Sequence, residues 1–130
     1  MIDFIENLKK ELDFDLQKVY LMGFSQGGIM SYSVALTVPE KIKGFAVMSS
    51  RLLPEIKPLI ADDYRLEKLQ IFISHGTQDA VLNYQYATDA LAYLKTKGLT
   101  PEFNSYDEGH TINKQMFDDV NQWLKANVVN

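Results

Sequence analysis

The sequence predicts an α/β fold in which about four parallel strands form a sheet covered by helices on both faces. Two observations predict it. Short apolar runs are bounded by glycine or proline, and between them lie segments whose apolar residues recur at steps of three and four. Strand and helix alternate along the chain, which is typical of a parallel sheet with helical crossovers. With 130 residues, the chain is expected to form a single domain over residues 1–130.

The first quarter of the chain predicts a helix, a strand and a second helix. Residues 1–14 carry one apolar stripe of an amphipathic helix, formed by Ile2, Ile5, Leu8 and Leu12. Residues 18–22 are apolar after the lysine, as in a strand buried on both faces. The second helix starts at Gly27 and should end before Pro39, because proline disfavours helical geometry in the preceding residue. Its apolar positions are Ile29, Met30, Val34, Ala35 and Val38.

Two further buried strands are predicted at residues 44–48 and 70–74. The stretch between them, residues 49–68, contains two prolines and is predicted to be irregular. The next helix is closed by Gly98, at a usual position just past a helix end. Its apolar residues are Ala87, Ala90, Leu91 and Leu94.

The last strand is predicted at residues 101–106, with Pro101 at its start, where a missing N–H costs least. A final helix then presents one apolar face, formed by Ile112, Met116, Val120, Trp123 and Leu124.

Composition and charge exclude several classes of protein. Hydrophobic residues make up 46% and charged residues 23%, as in ordinary globular domains. The lack of cysteine excludes disulfides, thiolate metal sites and cysteine nucleophiles, and it favours a reducing, cytoplasmic location. A net charge of −4 without any basic run argues against nucleic acid as a ligand. No segment is apolar enough for a signal peptide or a membrane span.

Known cofactor and metal patterns are also missing. The two histidines are far apart in sequence, and no acidic cluster has ligand spacing, so no metal is expected. The glycine-rich stretch 23–28 lacks the lysine of a phosphate-binding loop and the spacing of a dinucleotide fingerprint. We therefore expect no cofactor.

A G-x-S-x-G pentapeptide stands between the first predicted strand and the helix after it. It is Gly23-Phe24-Ser25-Gln26-Gly27, and this context is that of a nucleophile elbow. The glycines are expected to leave room where the turn brings backbone segments together on both sides of the serine. Ser25 is the candidate nucleophile, and the Gln26 N–H at the helix start is the candidate oxyanion donor. The alternative is a tight glycine turn with an idle serine.

A serine hydroxyl needs a base, and His75 and His110 are the two histidines. Hydrolases with this elbow place Ser, then Asp or Glu, then His along the chain, an order that His110 satisfies with Asp79. His110 is therefore the candidate base, with an ordinary loop histidine as the alternative. His75 precedes Asp79 in the chain and so cannot satisfy this order. Because it ends the third predicted strand, we expect it to hold the loop that carries Asp79.

Asp79 is the candidate carboxylate that orients the histidine. Its rival is Asp107, three residues before His110, and Asp79 is also placed to form a turn or to cap a helix. Ser25 and Asp79 are 54 residues apart, and Asp79 and His110 are 31 apart. The first separation leaves room for two βα units and the second for one. All three side chains are therefore expected at the carboxyl ends of the strands, where open α/β sheets bind ligands.

Three segments together resemble the phospholipase/carboxylesterase family of α/β-hydrolases, which includes acyl-protein thioesterases. They are Gly-Phe-Ser-Gln-Gly-Gly at 23–28, His-Gly-Thr-Gln-Asp-Ala-Val at 75–81 and Gly-His at 109–110. The resemblance covers the whole chain in the correct order. It implies Ser25, Asp79 and His110 as a catalytic triad, and a small-molecule ester or thioester as substrate.

The resemblance also points to residues that would contact the substrate. The loop after the second strand, residues 49–54, resembles the family's small-residue loop that leads to a leucine-proline pair. Arg51 departs from the pattern, because a small or aromatic residue is more usual there. The candidate substrate contacts are Phe24, Leu52, Leu53 and Val81.

A second departure concerns the beginning of the chain. In the family, further strands and a histidine-glycine-rich loop, whose N–H is the second oxyanion donor, precede the part that this chain resembles. No such loop occurs before Val19, and losing one donor costs such enzymes about 100- to 1000-fold in rate. We expect an N-terminally truncated domain, a sheet completed by another chain, or an elbow with little activity.

Two functions follow from these observations. The first is a serine hydrolase that acts through an acyl-Ser25 intermediate. The second is a noncatalytic or weakly active module whose first strand, left at the sheet edge, pairs with a partner chain or with a second copy of itself.

Overall fold

The computed structural model describes residues 2–3 and 18–129, and in these residues four parallel strands form one sheet. The strands are β1 (Tyr20–Phe24), β2 (Gly44–Met48), β3 (Gln70–Gly76) and β4 (Glu102–Tyr106). They lie side by side in the order of the sequence, and every neighbouring pair is parallel. The predicted parallel sheet is confirmed.

Helices follow the strands as the alternating pattern predicts. They are α1 (Gln26–Thr37), α2 (Asp63–Leu66), α3 (Gln85–Thr96) and α4 (Lys114–Val129). Short 3₁₀ helices lie at Pro39–Lys41 and Pro54–Leu59. The helix predicted at residues 1–14 lies outside the described residues, apart from residues 2 and 3, which are helical.

The two faces of the sheet are covered by different helices, as predicted. Alternate residues of a strand point to opposite faces, so β2 and β3 contribute to both cores. The larger core includes Phe45, Val47, Ile71 and Ile73 from the strands, with Tyr32, Ala35 and Leu36 from α1 and Ala87, Ala90 and Leu94 from α3. The smaller core includes Ala46, Met48 and Phe72, with Val120 and Trp123 from α4.

β1 is not buried on both faces as its apolar run predicts. In the described sheet it is an edge strand, and Met22 and Phe24 are 43% and 36% exposed. β2, which lies between β1 and β3, is buried along its whole length. Burial therefore depends on the position of a strand in the sheet, which its composition does not encode.

Three local predictions were wrong in detail. The stretch predicted to be irregular, residues 49–68, contains the second 3₁₀ helix and α2. Ile112 precedes α4 and is 39% exposed, so it does not belong to that helix's buried face. In α1 the buried positions are Gly28, Ser31, Tyr32, Ala35 and Leu36. Met30 is exposed instead.

Candidate active site

The loops that leave the carboxyl ends of β1, β3 and β4 carry Ser25, Asp79 and His110. The register aligns Phe24 with Met48, and Gly76 with Tyr106, so these strands end at one edge of the sheet. All three sequence candidates are thereby brought together.

Ser25 occupies a backbone conformation that residues other than glycine rarely adopt. Its φ is 55° and its ψ is −113°, at the single residue between β1 and α1. Such strain persists only where the surrounding structure imposes it. Here the Ser25 N–H donates to the Met48 carbonyl at 2.9 Å, and the Ser25 carbonyl accepts from the Ser50 hydroxyl at 2.7 Å.

Close packing, against backbone at Gly23 and against the Ser50 side chain at Gly28, explains two of the glycines around Ser25. A Cβ atom at Gly23 would lie 2.1 Å from the Gly27 carbonyl carbon, and one at Gly28 would lie 2.5 Å from the Ser50 Cβ. The prediction that a Cβ would clash at the glycines flanking Ser25 is confirmed at Gly23. It is wrong at Gly27, where a Cβ would meet nothing within 4 Å. Gly28, outside the pentapeptide, is the second glycine that the packing requires.

A continuous chain of hydrogen bonds joins the three candidate side chains. The His110 Nε2 lies 3.1 Å from the Ser25 Oγ, and the His110 Nδ1 lies 2.7 Å from the Asp79 Oδ2. Because a carboxylate only accepts hydrogen bonds, the Nδ1 must carry a proton, and the neutral ring then presents Nε2 as an acceptor for the Ser25 hydroxyl. This arrangement prepares the serine proton for transfer to His110.

Asp79 is held by its own loop. Its Oδ1 accepts hydrogen bonds from the N–H groups of Val81 at 2.9 Å and of Leu82 at 2.7 Å, which leaves Oδ2 for His110. Burial by itself raises the pKa of the Asp79 carboxyl, but the hydrogen bonds from His110, Leu82 and Val81 outweigh it, so the pKa lies below its ordinary value. The carboxylate is therefore ionised at neutral pH. Asp107, the rival from the sequence, is exposed.

The loops that carry Asp79 and His110 are bonded to each other. The Thr77 N–H donates to the Tyr106 carbonyl at 2.8 Å, and the Gln78 N–H donates to the Glu108 carbonyl at 2.9 Å. A Cβ at Gly76 would lie 2.2 Å from the Glu108 oxygen, so glycine permits this approach. Gly76 was not predicted to be part of the site, although its place at the end of β3, three residues before Asp79, was the available signal.

His75 lies under the Asp79 loop, where the sequence placed it. Its Nε2 is 2.7 Å from the Leu82 carbonyl and 3.4 Å from the Asp79 Oδ2, and the side chain is buried. A carbonyl oxygen only accepts hydrogen bonds, so the His75 Nε2 carries a proton and donates a hydrogen bond to the Leu82 carbonyl. His75 thus contacts the same turn whose N–H groups hold Asp79.

The oxyanion and substrate candidates differ in exposure. As the first residue of α1, Gln26 has an N–H without an acceptor inside the helix. The Phe24 ring packs 4.9 Å from the His110 ring, and Val81 is 68% exposed. Leu53 is half-buried. Leu52 belongs to the larger core, so its side chain is engaged in packing.

The described residues contain neither a metal-binding cluster nor a membrane-spanning helix. No group of three His, Cys, Asp or Glu residues in them is arranged to hold a metal ion. No helix in the same part of the chain has the length and apolar character to cross a membrane.

Comparison with known proteins identifies the family. Residues 1–128 match the family model described as phospholipase/carboxylesterase. The chain belongs to the phospholipase/carboxylesterase family. This confirms the resemblance read from the three sequence segments, and the family extends over nearly the whole chain.

Individual relatives agree. The chain is 32% identical over 111 residues to Carboxylesterase SOBER1 of Arabidopsis thaliana, covering 84% of this chain and 48% of that protein. It is 31% identical over 126 residues to Acyl-protein thioesterase 1 of Neurospora crassa, covering 93% and 51%. The chain thus spans about half the length of these curated relatives.

Solved structures share the fold. The crystal structure of Arabidopsis thaliana SOBER1 is 27% identical and superposes with a TM-score of 0.82, covering 98% of this chain and 60% of that one. The crystal structure of the Bacillus cereus carboxylesterase, at 18% identity, has a TM-score of 0.84 with coverage of 96% and 57%. The predicted α/β-hydrolase architecture is confirmed.

Proposed function

We propose that this chain carries the catalytic triad of a serine hydrolase that cleaves carboxylic esters or thioesters. The observation that carries the proposal is the unbroken hydrogen-bonded chain from the Ser25 Oγ through His110 to the Asp79 carboxylate. The relatives named carboxylesterase and acyl-protein thioesterase support the same class of reaction. No metal or cofactor enters the mechanism.

In the first half-reaction the Ser25 Oγ attacks the acyl carbon while its proton moves to the His110 Nε2. The C–O or C–S bond to the leaving group then breaks, and the alcohol or thiol departs with the proton from Nε2. The products of this step are the free leaving group and an acyl ester on Ser25. Asp79 keeps the His110 ring oriented and stabilises its charged form, without itself taking a proton.

In the second half-reaction a water molecule attacks the acyl carbon and gives a proton to the His110 Nε2. The bond to the Ser25 Oγ breaks, the proton returns to that oxygen, and the carboxylic acid leaves. Each turnover therefore consumes one water and restores the resting protonation of His110.

The negative charge that develops on the acyl oxygen needs a hydrogen-bond donor. We assign one donor, the Gln26 N–H, because it follows Ser25 directly and opens α1. A donor of this kind contributes about 100- to 1000-fold to the rate of acyl transfer. Phe24 and Val81 are the exposed candidates for contact with the substrate.

Labelling with a fluorophosphonate tests the proposal, since this probe forms a covalent adduct with an activated serine. We expect an adduct on Ser25, none in Ser25→Ala, and slower labelling in His110→Ala and Asp79→Asn. Turnover of 4-nitrophenyl butyrate should fall by roughly 10⁴-fold in Asp79→Asn.

Ser33→Ala is the matched control, because the Ser33 hydroxyl lies on α1 and bonds only the carbonyl one turn back. It should label like the natural chain. Folded protein that does not label would overturn the proposal, and so would ester turnover that survives in Ser25→Ala. Circular dichroism identifies variants that have failed to fold.

A second candidate function rests on the edge position of β1. In the described sheet one side of this strand has no neighbouring strand, and such an edge can pair with another chain. A noncatalytic module that pairs through β1, with a partner chain or with a second copy of itself, would elute as an oligomer in sizing chromatography while failing to label.

A cytoplasmic location rests on the lack of cysteine alone and stays a prediction.

A further inference from the structure

Arg51 lies in the loop that leaves β2 beside the proposed nucleophile. The preceding residue, Ser50, donates its hydroxyl to the Ser25 carbonyl at 2.7 Å. Consecutive Cα atoms are about 3.8 Å apart, so the Arg51 backbone lies one peptide from a residue in contact with Ser25. The loop emerges at the same sheet edge as Ser25, because Met48 is aligned with Phe24.

The Arg51 guanidinium is held against the start of α3. Its Cζ lies 4.4 Å from the centroid of the Tyr86 ring, and Tyr86 is the second residue of α3. The segment that leads into α3 is the one that carries Asp79. The cation is therefore fixed between the loop next to Ser25 and the helix that follows Asp79.

Arg51 has a hydrogen-bond donor without an acceptor. Its Nε is buried and has no hydrogen-bond partner. In the described part of the chain no carboxylate lies within 4.0 Å of this guanidinium, whereas Arg65, the other arginine of the sequence, pairs with Glu40. An unmet buried donor on a charged group is costly, and arginine forms its strongest hydrogen bonds with carboxylates.

We propose that Arg51 binds a carboxylate of the substrate, so that this site prefers acyl esters that carry a negative charge at neutral pH. The inference rests on the proposed function and deepens it by naming the substrate class. The chain as a whole has a net charge of −4, so the preference must come from a short-range contact rather than from long-range attraction.

The fold supplies a matched comparison in Lys57. Its Nζ lies 4.6 Å from the ring centroid of Tyr93, which is seven residues after Tyr86 on α3. Seven residues of helix span about 10 Å. Lys57→Gln therefore removes the same charge from the same kind of aromatic contact, but two turns farther from the sheet edge.

Two pairs of esters test the proposal by kinetics. In the first pair the charge is on the acyl side: 4-nitrophenyl hydrogen adipate is compared with its methyl ester. In the second the charge is on the leaving group: 4-butanoyloxybenzoate is compared with its methyl ester. The measured quantity is the ratio of kcat/KM for the charged ester to that for the neutral ester.

We expect this ratio to fall about 10- to 100-fold in Arg51→Gln for one of the two pairs, since a hydrogen bond to a charged group is of that size. The neutral esters should change less than about threefold. Lys57→Gln should leave both ratios unchanged, and Arg51→Lys should retain part of the preference. The pair that responds tells which side of the substrate faces Arg51. Ratios that Arg51→Gln does not alter in either pair would overturn the proposal.

A binding measurement separates this proposal from the proposed function. The sequence has two arginines, so a ¹H–¹⁵N spectrum contains two arginine Nε–H resonances, and Arg65 serves as an internal reference. Titration with 4-butanamidobenzoate and with adipate monoamide, which are stable anionic analogues of the two esters, should shift the Arg51 resonance and leave that of Arg65. Their neutral primary amides, which ester hydrolysis does not convert to the anions, should shift neither. A shift without serine labelling would reject the hydrolase while supporting the anion site, and no shift at Arg51 would overturn the anion site.

Discussion

Ser25 and the Asp79–His110 pair lie at the same edge of the sheet, but different interactions hold them. Ser25 is kept in a positive-φ conformation by close backbone packing at Gly23 and by hydrogen bonds to its N–H and carbonyl. Asp79 and His110 lie on loops where the non-glycine backbone has ordinary negative φ, and hydrogen bonds to them and between their loops fix their positions.

Because of this difference, substitutions near Ser25 and substitutions near the Asp79–His110 pair should have different effects on stability. A backbone contact of about 2 Å cannot be relieved by a side-chain rotation, so changes at the elbow act on the folded state itself. Hydrogen bonds can be removed one at a time at about 1–3 kcal/mol when a buried partner is left unsatisfied. Substitutions near Asp79 should therefore weaken the site in steps.

The largest effect is expected from Gly23→Ala. The new Cβ would lie 2.1 Å from the Gly27 carbonyl carbon and 2.4 Å from the Gly28 nitrogen, both of them backbone atoms. We expect a loss of at least about 3 kcal/mol in the free energy of unfolding, or no folded protein, as measured by urea denaturation.

Gly27→Ala is the control within the same pentapeptide. Its Cβ would meet nothing within 4 Å, and alanine is the better helix former by about 1 kcal/mol. We expect a folded protein of equal or greater stability. If the two variants had similar stability, close packing would not be what holds the elbow.

A smaller effect is expected from His75→Leu, which removes the donor that the Leu82 carbonyl uses. The free energy of unfolding should fall by about 1–3 kcal/mol. Amide exchange of Val81 and Leu82 should accelerate, because their N–H groups belong to the turn that His75 contacts. Urea denaturation and hydrogen exchange by NMR measure the two quantities.

Ser74→Ala, one residue earlier on β3, is the matched control. The Ser74 hydroxyl is buried but has no hydrogen-bond partner, so its removal should cost little or nothing. Equal losses in the two variants would contradict the view that a specific hydrogen bond, rather than packing on β3, stabilises the Asp79 loop.

The smallest effect is a dependence of stability on pH through Asp79. Its pKa is below the ordinary value in the folded chain, so the ionised carboxylate stabilises folding above the unfolded pKa of about 3.9. That contribution is lost as the pH falls through the lower folded pKa. The difference in unfolding free energy between the natural chain and Asp79→Asn should be largest near pH 6 and shrink below about pH 4.

Asp118→Asn is the comparison for the pH experiment. Asp118 pairs with Lys114 on the surface of α4, where both side chains are more than half exposed, and such pairs contribute little stability. Urea denaturation between pH 3 and pH 7 measures both differences. A difference for Asp79→Asn that grew as the pH fell would contradict the assigned shift.

Much of the fold could be predicted because its signals are local. The runs that became β2, β3 and β4 were bounded by glycine or proline, and α3 ends where Gly98 takes a φ of +82°. The apolar run of β1 predicted burial on both faces, because an edge strand and a central strand can carry the same apolar residues; its edge position was expected only from the family resemblance. The buried face of α1 was missed for a related reason: it uses small and polar residues, and the Ser31 hydroxyl is satisfied inside the helix by the Gly27 carbonyl.

The candidate site likewise contains residues that the sequence predicted and residues that only the structure identified. Residue order and the G-x-S-x-G context selected Ser25, Asp79 and His110, and the structure brings these residues within hydrogen-bond distance. Ser50, Gly28 and Gly76 were not selected, because each acts on a residue far from it along the chain. The tertiary contact, rather than any local pattern, makes them part of the site.

The sequence by itself determined the order of strands and helices, the family and the identity of the three candidate side chains, because these follow from short-range patterns and from the order of residues. The tertiary structure alone decided that Gly23 and Gly28 but not Gly27 need to be small, and that Arg51 is held over Tyr86 with an unmet donor. These depend on which segments meet in space. Contacts between residues distant in the chain arise only when the sheet has brought its loops to one edge.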